Sequence, residues 1–272
     1  MRPIWSGTIS FGLVSVPVRM FSATESKDLK FHFLDRRDMA PIGYEKVRKD
    51  NGRAVPADRV IRGYEISKGQ YVPLEDEDLE RLDIELTHSI DITDFVDGEE
   101  IDPLYFQKGY YLLPQDGAEK PYRLLVRALE ETGKVAIAKV VIRNKQQLAA
   151  VRPHDGVLVL ETMYYPDEIR EPEKVNSKGK LEPAEVKMAK SLIKNLSGSF
   201  KPEKYDDEFR KELLKLLKVK AKGKELPEPQ KAEEAEVVDL MAALRESVER
   251  SKTTQRSSKR TTRRRKPAKK AS

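Results

Sequence analysis

The apolar residues of this 272-residue chain are concentrated before residue 170, in short alternating runs set around one amphipathic helix. That distribution decides where a core can form and of what kind. From Ile4 to Phe21, Trp5, Ile9, Phe11 and Leu13 alternate with Ser6, Thr8, Ser10 and Gly12, and the apolar phase then flips to Val14, Val16, Val18 and Met20. A one-residue slip sends side chains to the other face of a strand, so a flip beside Gly12 predicts a turn or a bulge. Leu29, Phe31 and Phe33 form a further alternating run. Lys108–Pro114 (KGYYLLP), Val135–Ile142 (VAIAKVVI) and Val157–Tyr165, the last after a His154-Asp155-Gly156 turn, read as strands. Between them Tyr122, Leu125, Val126 and Leu129 follow helical spacing over Lys120–Glu131, and Gly133 supplies the stop. Strands on both sides of one helix, joined mostly by short turns, predict a mixed α/β, mainly β fold: a β-barrel decorated by helices.

Other segments cannot join such a core. Asp35 to Arg62 is polar, with Pro41-Ile42-Gly43 and Asp50-Asn51-Gly52 as turn signals and eight Arg or Lys residues. It reads as a hairpin-like excursion from the domain. Glu75 to Asp102 reverses the sign, with thirteen acidic residues against Arg81 alone, and reads as a solvated acidic face. Beyond Pro172 come separate amphipathic helices: Pro183–Leu196, with a Val186, Ala189, Ile193, Leu196 stripe, and Tyr205–Ala221, with Phe209, Leu213, Leu216 and Leu217. These stripes suit either packing onto the barrel or capture of a partner. Glu225–Glu236 has the proline-rich acidic composition of a flexible spacer. Val237–Val248 repeats helical spacing through Leu240, Met241 and Leu244, and at roughly 12 residues it is too short for a stable isolated helix, so it should order on binding something. The expected layout is therefore a core over 1–170 with an arm at about 35–62, a helical region over 171–223, a linker and short helix over 224–250, and a disordered tail over 251–272.

That tail holds ten Lys or Arg and no acid, including Arg263, Arg264, Arg265 and Lys266, and it turns a body of net charge −4 into a chain of +6. A basic arm on a nearly balanced domain is the electrostatic footprint of phosphate-backbone binding, which raises affinity without choosing a sequence. A solvated tail kept for solubility is the alternative.

Catalytic patterns are scarce. His32, His88 and His154 are far apart and show no i, i+4 pairing, and the chain has no cysteine, so disulfides and zinc–thiolate sites are excluded and no metal or cofactor is expected. No P-loop, G-x-G-x-x-G or G-x-S-x-G occurs. Lys49-Asp50-Asn51-Gly52 superficially resembles the K-x-D-G nucleophile motif of nucleotidyltransferase ligases, but Asn stands where the Asp should be. No apolar run reaches 18 residues and the N-terminus lacks a signal-peptide core, so no membrane is expected and a cytoplasmic, nucleoid-associated location fits. The chain reads as a binding protein rather than an enzyme.

Several long segments, in order, resemble bacterial Ku: WSGTISFGLVSVPVRMFSAT, KGYYLLP, YRLLVRALEETGKVAIAKVVIRNKQQLAAVRPHDGVLVLETMYYPDEIR, KMAKSLIKNL and YDDEFRKELLKLL. The resemblance runs from Trp5 to about Gly223. It implies a homodimeric ring threaded by a double-stranded DNA end, acting in non-homologous end joining and recruiting ligase D, with no catalytic site. It also implies a Ku-type β-barrel core with a bridging arm, here the basic excursion, followed by C-terminal helices. The resulting candidates for DNA contact are Arg36, Arg37, Lys46, Arg48, Lys49 and Arg53 in the arm, and Arg123, Arg127, Lys139, Arg143 and Lys145 in the barrel, with the tail's Arg263, Arg264, Arg265 and Lys266. Candidates for partner contact are Phe209, Leu213, Leu217, Leu240, Met241 and Leu244. Rival readings are an architectural nucleoid protein that coats duplex DNA without recognising ends, and a nuclease using the acidic block.

Overall fold

The computed structural model describes residues 2–80, 88–143, 145–173 and 181–223. The chain divides into two compact units, Met1–Pro172 and Glu173–Ser272. In chain order the first unit holds β1 (Trp5–Phe11), β2 (Val14–Ser22), β3 (Arg62–Ser67), β4 (Gln70–Leu74), the short α1 (Asp76–Glu80), β5 (Ser89–Asp97), β6 (Phe106–Pro114), α2 (Glu119–Thr132), β7 (Lys134–Ile142), β8 (Lys145–His154) and β9 (Val157–Met163). Seven of these strands form a closed barrel in the order β1-β2-β6-β9-β8-β7-β5, with β5 returning to β1. The expected mainly β barrel is therefore present.

The interior is set by the period-2 alternation of the strands. Val16, Val18 and Met20 of β2, Leu112 of β6, Ala136, Ala138 and Val140 of β7, and Leu158 and Leu160 of β9 are buried in one cluster. The phase flip at Gly12 is a turn: Phe11 pairs with Val14, and Gly12 adopts φ +59°, a left-handed conformation that suits glycine. All neighbours pair antiparallel except β1 and β5, which run parallel through Thr8–Ser89, Ile9–Ile90 and Ser10–Asp91. At this seam Thr8 N donates to the His88 carbonyl at 2.9 Å. Gly7 is required there, because a β-carbon at that position would overlap the His88 carbonyl and the Trp5 ring.

Helix α2 buries Tyr122, Leu125, Val126 and Leu129, the stripe expected from spacing, and ends at Gly133 with φ +66°. It follows the C-terminal end of β6 and precedes the N-terminal end of β7, so it closes one end of the barrel. The Tyr122 hydroxyl donates to the Leu112 carbonyl at 2.6 Å and accepts from Leu158 N at 2.8 Å. One phenol thus satisfies two backbone groups of β6 and β9 inside the core.

Two sequence expectations need correction. Leu29, Phe31 and Phe33 form no strand, and Phe31 and Phe33 stand 64% and 68% exposed. Their alternation has no neighbouring strand to hydrogen-bond, so Phe33 instead meets Tyr44 edge-on at 6.2 Å. The acidic stretch is not only a solvated face: Ser89–Asp97 is barrel strand β5, with Ile90 fully buried while Asp91, Asp94 and Asp97 face solvent. Strand β8 was not expected from the sequence.

Burial holds the Tyr122 phenol protonated above its ordinary value of 10. The folded chain therefore keeps this proton where the unfolded chain releases it, and this contribution to stability is lost as pH climbs beyond about 10. Tyr122→Phe should leave Leu112 C=O and Leu158 N without this partner and cost about 1–3 kcal/mol in urea unfolding, whereas a cost near zero would contradict the role given to the hydroxyl.

Candidate nucleic-acid interface

The barrel has two unlike ends. One collects α2, the β1–β2 turn, the β8–β9 turn at Asp155-Gly156 and the C-terminal end of β5. The other collects Trp5, the exit from β2 at Ser22, the start of β5 at Ser89, the start of β6, the β7–β8 turn and the end of β9. Everything between β2 and β5 leaves and returns at this second end. Ala23 N bonds Gly109 O at 3.1 Å at the exit, and the His88 carbonyl is held by Thr8 at the return. Trp5 anchors the same end, its indole N–H donating to Val141 O at 3.2 Å.

The excursion is longer than the basic stretch read from sequence. It carries two looped hairpins, then the β3–β4 hairpin and α1. In the first loop Ile42 N bonds Phe33 O at 2.9 Å, and in the second Val55 N bonds Lys46 O at 2.8 Å. No hydrophobic residue between Ser22 and Ser89 is buried among those described, and thirteen large apolar side chains there are exposed, Phe31, Tyr44, Ile61, Tyr64 and Ile66 among them. Among its described residues this arm has no core of its own.

All six arm candidates lie exposed on the two loops, but they divide into two groups. Arg37 is held by Asp35, with its Nη2 at 2.6 Å from the carboxylate, and Arg48 is held by Asp50 at the same distance. Each pair spans two residues, lowers the aspartate's pKa through the side-chain hydrogen bond, and fixes the tip of its own loop. Arg36, Lys46, Lys49 and Arg53 make no ion pair among the described residues.

The barrel candidates are separated. Arg143 and Lys145 flank the β7–β8 turn at the arm's end of the barrel, where Arg143 adopts φ +52°, uncommon for a residue with a β-carbon. Lys145 lies 3.5 Å from Glu168. Lys139 points outward from β7, opposite Asp91 of β5 and Leu148 of β8. Lys108, a residue sequence reading passed over as part of a strand, sits 5.5 Å from the Tyr110 ring. Desolvation raises the Tyr110 pKa, and the charge of Arg143 partly offsets it. Lys108 and Arg143 thus bring positive charge to one mouth, a convergence that only the closed barrel reveals. Arg123 and Arg127 are exposed on α2 at the opposite end, with Arg127 held by Glu131 at 2.5 Å. Arg263, Arg264, Arg265 and Lys266 lie outside the described residues.

Residues 10–188 match the family model described as the Ku70/Ku80 beta-barrel domain. The chain belongs to the Ku family. It is 46% identical over 249 residues to the non-homologous end joining protein Ku of Desulfitobacterium hafniense, with 91% of this chain and 87% of that one covered. It is 42% identical over 258 residues to its counterpart in Bacillus subtilis, covering 93% and 83%. Against the Symbiobacterium thermophilum protein it is 45% identical over 252 residues, covering 91% of this chain but only 63% of that longer relative. The match to the Ku model takes in the barrel from the end of β1 onward, the arm and the first part of the helical unit.

In that helical unit, α3 (Pro183–Leu196) and α4 (Glu208–Ala221) bury no residue among those described. Ile193 and Leu196 of α3 are exposed, as are Phe209, Leu216 and Leu217 of α4, while Leu213 is half-buried. Phe200 and Tyr205, just before α4, stack with ring centroids 5.7 Å apart. Leu240, Met241 and Leu244 lie outside the described residues. Among the described residues no group of three or more acidic or histidine side chains gathers as a metal site, and no helix is long and apolar enough to cross a membrane.

Replacing Arg36, Lys46, Lys49 and Arg53 together by Ala should flatten the log–log salt dependence of duplex binding by about 0.9 for each phosphate no longer neutralised. Arg37→Ala and Arg48→Ala, whose side chains are engaged within their loops, should flatten it less. An unchanged slope in the fourfold variant would remove the arm from the interface.

Proposed function

We propose that this chain is a non-catalytic binder of double-stranded DNA ends acting in non-homologous end joining, and that two copies close a ring which threads onto broken ends. The observation that carries this reading is the arm: a long excursion rooted at one barrel mouth, with unpaired cations on its loops and thirteen exposed large apolar side chains. Apolar surface on that scale marks an interaction site. A second copy is the natural cover, because a twofold contact brings each arm to its own equivalent. The relatives, each a non-homologous end joining protein Ku by name, support the end-joining role.

Broken ends have arbitrary sequence, so their capture must rest on phosphate and shape. Arg36, Lys46, Lys49 and Arg53 would supply direct phosphate contacts, while Arg37 and Arg48 brace the loops that present them. Lys139, Arg143 and Lys145, with Lys108, would extend the basic surface onto the barrel mouth. The tail of residues 251–272 would add affinity without sequence preference. A ring restricts loading and escape to ends, which is the specificity that charge alone lacks. Recruitment of ligase D belongs to the exposed stripe of Phe209, Leu213 and Leu217, and to residues 237–248 with Leu240, Met241 and Leu244. The protein works in the cytoplasm, on the nucleoid.

A gel shift of the full chain on one sequence as linear and as covalently closed DNA tests this. The expected result is binding to the linear form only, with several proteins loading on a long fragment. Equal binding to the closed circle would replace the ring by an architectural protein that coats duplex DNA.

A further inference from the structure

The end of the barrel opposite the arm carries a groove that the DNA reading does not use. It is a cavity of about 520 Å³ running along α2 beside the β1–β2 turn, walled by Phe11, Val14, Phe95, Leu124 and Ala128. Phe11 and Phe95, both in its lining, meet edge-on at 6.4 Å. Its only polar neighbours among the described residues are Thr132 and Lys134, and both are already engaged. The Thr132 hydroxyl donates to Ala128 O at 2.7 Å, and Lys134 Nζ bonds Asp97 at 2.8 Å. The groove is therefore walled almost wholly by apolar side chains and selects an apolar anchor.

The apolar surface spills over its edges. Leu124 is 70% exposed, Phe95 46%, and Leu13 at the turn tip is wholly exposed. Solvent-facing leucines at a turn tip and on a helix ridge contribute nothing to the core beneath them. Beyond the Leu124 ridge lies a second depression lined by Lys120, Arg123 and Arg127, together with Glu119 and Glu130. Arg127 is held by Glu131, whereas Lys120 and Arg123 have no ion pair among the described residues. Glu119 and Glu130 balance the depression as a whole, but Lys120 and Arg123, free of ion pairs among the described residues, can each receive a carboxylate flanking an apolar stripe seated in the groove. The groove follows α2 from Pro121 to Thr132, a rise of about 16 Å, or three helical turns.

We propose that this face docks an acidic amphipathic helix of a partner protein, its leucine-type anchors in the groove and its carboxylates on Lys120 and Arg123. This is helix-in-groove recognition. It removes Arg123 and Arg127 from the DNA-contact set. It also leaves the partner and the DNA at opposite ends of one barrel, so both can be held at once.

Fluorescence anisotropy of the full chain with a labelled helical peptide of about three to four turns tests the assignment, the peptide carrying Leu at i, i+3, i+4 and i+7 with flanking Glu. Saturable binding with Kd below about 100 μM is expected, weakening at least tenfold in Leu124→Asp, a change at an exposed site. Lys120→Glu with Arg123→Glu should weaken this peptide and strengthen one with Lys in place of Glu, with duplex-end affinity unchanged. Absence of binding, or equal binding of the Glu and Lys peptides, would overturn the proposal. Loss of self-association in Leu124→Asp without peptide would give the face to a second copy. A tenfold gain in peptide affinity in Leu240→Asp with Leu244→Asp would give it to the chain's own residues 237–248. Either result would also overturn it. A loss of end binding in Lys120→Glu with Arg123→Glu would overturn it too, returning these cations to the DNA surface.

Discussion

Three parallel pairs, Thr8–Ser89, Ile9–Ile90 and Ser10–Asp91, close the barrel and fix the point at which the arm returns to it. Parallel neighbours cannot be joined by a tight turn; the chain must cross from one end of the sheet to the other by a dozen residues or more. Here β2 first carries the chain back to the starting end, so the long connection to β5 begins and finishes at one mouth. In many folds such a connection packs over its own sheet. Here it is exposed almost throughout and forms the arm. The close fit of Gly7 under the His88 carbonyl, with Trp5 bonded across to β7, makes the return point rigid. A projecting element without a core needs a firm root if its charges are to be presented in a defined place.

The arm's composition follows from that position. A segment that cannot bury apolar surface in its own chain pays its ordering entropy without return unless something else covers it. The exposed Phe31, Tyr44, Ile61, Tyr64 and Ile66 are destabilising in isolation and reasonable in an assembly. Short Arg–Asp pairs two residues apart hold the two loop tips without help from a core. Such exposed pairs are individually weak, so the loops are shaped more by their backbone bonds than by charge. The barrel is different. Its interior is apolar and interlocked, and α2 is tied in by a phenol that serves two strands at once.

Legibility in the sequence followed how local each signal was. The α2 stripe and strands β6, β7 and β9 were readable because their apolar periodicity is uninterrupted. Strand β5 was hidden by its outward acids and by a bulge between Ile92 and Asp94 that breaks the alternation. Strand β8 was hidden because its inward residues near the middle are small, Ala149 and Val151, and it opens on Lys145-Gln146-Gln147. The run of Leu29, Phe31 and Phe33 has the pattern of a strand, but its pairing stops at one loop contact, Ile42 N to Phe33 O, and no local pattern can reveal that. At the interface the arm's cations were visible as letters. Their division into loop-bracing and unpaired groups was not, nor was the meeting of Lys108 and Arg143 at one barrel mouth, which depends on the closed barrel.

In the proposed ring, ends are held by topology and not by charge alone. The most direct measurement loads the full chain onto linear duplex DNA, closes the DNA into a circle with the protein bound, and then raises the salt. A threaded ring should stay on the closed circle at salt concentrations that strip it from the linear form, and be released when the circle is cut. Equal loss from circle and line would contradict it, because purely electrostatic binding falls with salt regardless of whether the DNA has ends.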